Sequence, residues 1–128
     1  MTVHSTLFVC TTCGSTWENG QRVGTSAGEF LLQDLQSALA ETGAQIQPVK
    51  CLSACVNPCA VAITAPGKFA YILGQLPARD QRPATVQALV AFTQLHQQKE
   101  DGFIPYAERP ELLKDRVLGR VPPVTTGG

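Results

Sequence analysis

The sequence lacks an excess of charge of either sign, because ten lysines and arginines are matched by ten aspartates and glutamates. Binding to a nucleic-acid backbone or to anionic lipid requires a basic surface, so this balance argues against both kinds of partner. No apolar run approaches the roughly 18 residues of a membrane-spanning helix. The N-terminus, MTVHSTLFVC, has no basic leader. We therefore expect a soluble, cytoplasmic protein with no nucleic-acid or membrane partner.

Histidine is scarce, and the chain has only His4 and His96. Neither lies near a cysteine in sequence, and His96 falls in a polar, glutamine-rich stretch, so we expect both at the surface and neither as a metal ligand. Serine nucleophiles need a neighbouring base, and no nucleophile, base and acid set is visible. On this ground we expect no hydrolase, and we do not expect an enzyme.

Cysteine, in contrast, is abundant and clustered. Cys10 and Cys13 lie in CTTC, and Cys51, Cys55 and Cys59 lie in CLSACVNPC. Reducing compartments disfavour structural disulfides, and an odd number of thiols cannot all pair within one chain. Cysteines that serve only as small apolar residues would be scattered through strands and helices. The pattern therefore predicts one metal site that uses four of the five thiols.

The first half of the chain predicts a strand, a loop, a helix and a second strand. Residues 5–10 are short, apolar and β-favouring, and residues 13–24 are rich in glycine and polar residues, which predicts a loop. Ser26 and Glu29 form a capping box that opens a helix with a leucine stripe, and Gly43 is expected to stop it. Residues 46–50 predict a second strand, and Pro48, which cannot donate a ladder hydrogen bond, indicates either a sheet edge or an irregular segment.

The second half predicts a hairpin, a helix and a tail. Residues 60–64 and 68–73 are apolar runs around an Ala-Pro-Gly turn, and residues 83–99 have the periodicity of an amphipathic helix. The element order is thus βαββα. We expect one α/β domain over residues 1–100, and residues 101–128 as an extended tail that packs on it through Phe103, Ile104 and Tyr106. This tail is expected to contain one helical turn over residues 111–116 and to have a frayed end.

The predicted topology brings the two cysteine clusters together. Two parallel strands joined through a helix place both strand ends at one edge of the sheet. Thiolates bind iron–sulfur clusters and zinc alike, and Cys10, Cys13 and Gly14 also match a zinc knuckle. A thiol oxidoreductase is a third interpretation, but its motif gains a low thiol pKa at a helix N-terminus, whereas this helix begins only at Ser26.

Three segments carry a resemblance to known proteins: VCTTCGSTW, GTSAGEFLLQDL and CLSACVNPCAVAITAPGKFAYILG. Over residues 5–98 the arrangement resembles the thioredoxin-like [2Fe-2S] ferredoxins. The segments also resemble a family of predicted metal-binding proteins of unknown function, over nearly the whole chain. The resemblance implies a thioredoxin-like fold and a [2Fe-2S] cluster.

The resemblance also implies a ligand set. Cys51 and Cys55 stand in the place of the ferredoxin Cys-x3-Cys pair, and Cys10 stands in the place of the ligand that ends the first strand. The ferredoxins carry their fourth ligand close to the helix start, where this chain has no cysteine. Cys13 takes that place in our prediction, and Cys59 is the alternative.

The resemblance implies electron transfer or cluster-based sensing with a redox or metal-handling partner protein, and it is compatible with a homodimer. The alternative is a non-redox, four-cysteine zinc module with a structural or metal-handling role.

Overall fold

The computed structural model describes residues 4–11, 16–40, 42–49, 59–77 and 81–123. Seven strands and two α-helices lie within these residues, together with two short 3-10 helices, Tyr106–Glu108 and Glu111–Leu113. In chain order the strands and α-helices are β1 (Thr6–Cys10), β2 (Thr16–Glu18), β3 (Gln21–Val23), α1 (Ala27–Ala38), β4 (Gln45–Val49), β5 (Val61–Thr64), β6 (Ala70–Leu73), α2 (Arg82–Gln98) and β7 (Val117–Val121).

Five of the strands form one mixed sheet in the order β4-β1-β5-β6-β7. β1 pairs with β4 in parallel and with β5 antiparallel, and the hairpin of β5 and β6 was predicted. The parallel pairing confirms that β1 and β4 end at the same edge of the sheet. β4 is an outer strand of this sheet, which is the first of the two alternatives that Pro48 left open.

The helix α1 begins as the sequence predicted. Ser26 is its N-cap, and the Ser26 hydroxyl accepts the Glu29 N–H at 3.1 Å. The prediction that Gly43 stops the helix was wrong, because α1 ends at Ala38 and the C-cap is Leu39. Gly43 lies in the connection to β4, with a φ of +83° that favours glycine.

The core lies between one face of the sheet and the two helices. Alternate residues of β1 point into it, so Leu7 and Val9 are buried while Thr6 and Phe8 are half-buried. α1 and α2 lie side by side, and the Arg82 guanidinium contacts the Asp34 carboxylate at 2.7 Å between them. The helices contribute the fully buried side chains Leu31, Leu35, Leu39, Leu89 and Phe92.

Three strands were not predicted from the sequence. Residues 13–24 were expected to be a loop, but β2 and β3 pair as a short hairpin whose turn is Asn19-Gly20, both with positive φ. The segment after α2 was expected to be an extended tail, but β7 pairs antiparallel with β6 and widens the sheet. Part of the expected helical turn is present as the 3-10 helix Glu111–Leu113, and Leu113 and Ile104 are fully buried.

In the part of the chain that the structure describes, neither helix has the length and the apolar character needed to cross a membrane.

Candidate metal centre

Cys10 is the last residue of β1, and its side chain is shielded from solvent. The residue is 3% exposed and belongs to the hydrophobic core. The register of the parallel pair sets Cys10 opposite Val49, the last residue of β4. The strand end that carries the first cysteine cluster therefore lies next to the strand end that leads, two residues later in sequence, to Cys51.

Cys59 lies on the other side of Cys10, just before β5. The Cys10 N–H donates to the Ala60 carbonyl at 3.2 Å, and Cys59 is 4% exposed. Two backbone hydrogen bonds of 3.1 and 3.5 Å join Cys59 to Leu76 and extend the β5–β6 ladder to this point. The structure thus brings Cys10 and Cys59 to the same edge of the sheet.

Thr11 ties the end of β1 to the end of β4. Its N–H donates to the Val49 carbonyl at 2.8 Å, and its hydroxyl lies 3.2 Å from the same oxygen. Both donors of one residue thus point at the carbonyl from which the chain continues to Lys50 and Cys51.

The N-terminus of α1 lies at this edge as well. The Ser26 hydroxyl donates to the Thr11 carbonyl, with 2.5 Å between the two oxygens, and Ser26 is fully buried. A helix N-terminus carries partial positive charge, which stabilises nearby thiolates. The helix begins where the sequence predicted. Its N-cap, Ser26, is far from Cys10 in the sequence but near it in the fold, because Ser26 bonds to the residue that follows Cys10.

The predicted ligands divide unevenly between described and undescribed parts of the chain. Of Cys10, Cys13, Cys51 and Cys55, the structure describes Cys10, and the other three lie outside the described residues. The alternative ligand, Cys59, is described. Over residues 4–11, 16–40, 42–49, 59–77 and 81–123, no three side chains of histidine, cysteine, aspartate or glutamate form a cluster that could hold a metal ion.

His96 is not the surface residue that the sequence suggested. It is fully buried, with Nδ1 2.6 Å from the Ser5 hydroxyl and Nε2 2.7 Å from the Phe69 carbonyl. The prediction was wrong because His96 follows Phe92 by four residues on α2 and therefore continues its buried face. That periodicity was the signal in the sequence that could have identified it. His4 is exposed, as predicted.

His96, Ser5 and Phe69 form a hydrogen-bonded group, the His96 cluster. It lies at the other end of β1 from Cys10, because Ser5 precedes the strand and Cys10 ends it, and it is therefore separate from the cysteine edge. Burial lowers the pKa of His96, the hydrogen bond to the Phe69 carbonyl opposes that shift, and the Lys68 ammonium adds to it. Lys68 donates to the His96 and Gln97 carbonyls at 2.8 and 2.9 Å. Burial lowers the pKa of Lys68, and the charge of Asp101 only partly offsets this shift.

Comparison with known proteins gives a fold and a family. The structure is similar to that of a thioredoxin-like [2Fe-2S] ferredoxin from Aquifex aeolicus, with a TM-score of 0.53 and 17% sequence identity over 91% of this chain and 92% of that protein. This likeness confirms the predicted thioredoxin-like α/β fold. No curated protein matches the sequence. The family model described as "Protein of unknown function (DUF1636)" matches residues 7–123, so the chain belongs to that family.

Proposed function

We propose that this protein is a small iron–sulfur protein whose [2Fe-2S] cluster serves in electron transfer or in cluster-based sensing. One observation carries the proposal: the parallel pairing of β1 with β4 brings Cys10 next to the strand end that precedes Cys51 and Cys55. Two cysteine clusters that are far apart in the sequence thereby start from one edge of the sheet. The likeness to a thioredoxin-like [2Fe-2S] ferredoxin supports the choice of cluster.

The chemistry of the donor residues fits such a cluster. Iron–sulfur clusters are held by cysteine thiolates, and the sequence supplies five thiols in two groups. We propose Cys10, Cys13, Cys51 and Cys55 as the ligands, with Cys59 as the alternative fourth ligand because it lies beside Cys10.

Each described residue has a definable task at this site. Cys10 supplies a thiolate that is shielded from water, since the residue is 3% exposed. The N-terminus of α1, held at Thr11 by Ser26, favours negative charge on nearby sulfur. A bound cluster would supply one-electron chemistry, and hydrogen bonds and burial around the sulfurs would set its reduction potential.

We further propose that the protein works in the cytoplasm with a redox or metal-handling partner protein. The balanced charge argues against nucleic acid as that partner. A homodimer is compatible with this role.

The test is metal and sulfide analysis of protein expressed and purified without oxygen. The proposal predicts iron and acid-labile sulfide in equal amounts, about two of each per chain, together with visible absorbance. Stoichiometric zinc without iron or sulfide would contradict the cluster and favour the four-cysteine zinc module. That module predicts a colourless protein whose stability depends on the metal.

The ligand set is tested by replacing single cysteines with serine. Cys10→Ser, Cys51→Ser and Cys55→Ser should each abolish or strongly reduce cluster content. Cys13→Ser and Cys59→Ser form a matched pair, because only one of these two residues completes a set of four. The proposal predicts loss of the cluster in Cys13→Ser and retention in Cys59→Ser, and the opposite result would transfer the fourth position to Cys59.

A further inference from the structure

We propose that Thr11 is a positioning residue of the metal centre, and that it acts by fixing the end of β1, which carries Cys10, relative to the end of β4, which precedes Cys51 in the sequence. The inference rests on the proposed function, because it assigns a role at the same site. Thr11 directly follows Cys10, and its hydroxyl is the group to which we assign this role.

The hydrogen bonds of Thr11 support this role. Its N–H and its hydroxyl both donate to the Val49 carbonyl, at 2.8 and 3.2 Å. The N–H bond continues the parallel ladder of β1 and β4 by one residue, and any residue except proline could make it. The hydroxyl bond is specific to serine or threonine. It adds a second link at the point where both strands end, and it restricts their relative movement there.

Thr11 also connects the strands to α1. Its carbonyl accepts the Ser26 hydroxyl, with 2.5 Å between the oxygens, and the same Ser26 oxygen accepts the Glu29 N–H as the helix N-cap. One residue thus joins β1, β4 and the N-terminus of α1. Thr11 is itself half-buried, so these bonds are partly protected from competing water.

A metal centre with ligands on two chain segments depends on the spacing of those segments. Removing a group that orients the ligands without touching the metal typically lowers the metal affinity about 10–100-fold. Loss of the Thr11 hydroxyl should therefore weaken retention of the cluster while the protein stays folded. Thr11→Ser should behave like the native chain, because serine keeps the hydroxyl.

The experiment measures the rate at which visible absorbance disappears when a chelator is added to the loaded protein. Thr11→Val is compared with Thr11→Ser and with Thr93→Val. Thr93 is the matched control, because its buried hydroxyl also donates to a backbone carbonyl, that of Leu89 at 2.7 Å, but inside α2. We expect Thr11→Val to lose its cluster at least about tenfold faster than the native chain, Thr11→Ser and Thr93→Val.

The outcomes separate this inference from the proposed function. If the native chain binds a cluster and Thr11→Val loses it no faster than Thr93→Val, the positioning role is overturned. If the native chain binds neither iron nor sulfide, the proposed function itself fails and the inference fails with it. The thermal stability of the metal-free variants is measured in parallel. Should Thr11→Val not fold, Thr11→Ala gives the second test, because it also removes the hydroxyl that bonds to the Val49 carbonyl. The same faster loss is expected, and an unchanged rate there would overturn the inference.

Discussion

The Ser5 hydroxyl and His96 Nδ1 lie 2.6 Å apart in the interior of the protein, where neither residue is exposed to solvent. His96 Nε2 faces the Phe69 carbonyl at 2.7 Å, and a carbonyl oxygen only accepts hydrogen bonds. The neutral ring therefore carries its proton on Nε2, and Nδ1 accepts the Ser5 hydroxyl. This pair links the start of β1 to the end of α2.

The stability of the protein should fall as the pH drops through the range in which histidine titrates. Burial lowers the pKa of His96 below its ordinary value of 6.5, the hydrogen bond to the Phe69 carbonyl opposes this shift, and the nearby Lys68 adds to it. Asp101 is the acidic group near Lys68, and the Tyr71 ring meets the His96 ring edge to face, with 6.4 Å between the ring centres. At this histidine the unfolded chain therefore binds more protons than the folded protein between the folded pKa and its ordinary value of 6.5. The stabilisation is complete above that pH and is lost as the pH falls towards the folded pKa.

Urea unfolding at a series of pH values from about 8 to about 5 measures this effect. The control is His96→Gln, which removes the titrating group. We expect the variant to be less stable at neutral pH and to show a flatter dependence on pH. Equal slopes in both proteins would show that other groups cause the loss.

Gly102→Ala should destabilise the protein more than Gly67→Ala. Both glycines have positive φ, +73° and +72°, so the backbone strain of the two substitutions is similar. A methyl group at Gly102 would lie 2.7 Å from Lys68 Cβ and 2.9 Å from His96 Nε2, whereas nothing lies within 4 Å of one at Gly67. Each substitution should lower the free energy of unfolding by about 1 kcal/mol because of backbone strain. Overpacking should lower it by a further ~1–3 kcal/mol in Gly102→Ala.

Chemical denaturation of the two variants provides the measurement. Equal losses would mean that the segment after α2 does not pack against the His96 cluster as described.

Tyr71→Phe tests how the segment after α2 is attached to the sheet. The Tyr71 hydroxyl accepts the Ile104 N–H at 3.0 Å, and both residues are fully buried. Phenylalanine would leave this N–H without its partner in the core, which costs about 1–3 kcal/mol in the free energy of unfolding. Hydrogen exchange at the Ile104 amide should accelerate in the variant, and unchanged exchange would contradict the described contact.

Leu35→Ala should lower the free energy of unfolding by about 2–5 kcal/mol, because Leu35 on α1 is fully buried and alanine would leave a cavity. Leu118→Ala is the control, since Leu118 on β7 is 44% exposed and its truncation should change stability by less than about 0.5 kcal/mol. Thermal unfolding of both variants makes the comparison. A small loss for Leu35→Ala would argue against the described core.

Much of the fold follows from local patterns in the sequence. The capping box at Ser26 and the leucine stripe located α1, and residues 46–50 were predicted as a strand that Pro48 restricts to a sheet edge unless the segment is irregular. These signals are strong because each depends on backbone chemistry within a few residues. The parallel pairing followed from the order of strand, helix and strand.

Other features depend on contacts between distant segments. β7 contains Gly119 and two exposed apolar residues, so its sequence does not alternate clearly, and it becomes a strand by pairing with β6. The short hairpin of β2 and β3 has the Asn19-Gly20 turn signal without long flanking strands. His96 has a polar side chain, and its burial is favourable because it forms hydrogen bonds with Ser5 and Phe69, which are far away in the sequence.

The candidate site was predictable in part. The sequence indicated that the first and second cysteine clusters approach each other, and the structure brings Cys10 to the end of β4 as expected. It named Cys59 only as the alternative ligand, and it did not indicate that the Cys10 N–H bonds to Ala60, the residue after Cys59, or that Thr11 and Ser26 connect three elements there. Those relationships depend on the register of β5 and on the position of α1, which local patterns do not determine.

The most direct test of the proposed [2Fe-2S] centre is the low-temperature electron paramagnetic resonance spectrum of protein purified without oxygen and then reduced with dithionite. A [2Fe-2S] cluster accepts one electron, so the reduced protein should give a spin-½ signal of about one unpaired electron per chain while its visible absorbance bleaches. A colourless protein that gives no signal after reduction would contradict the assignment.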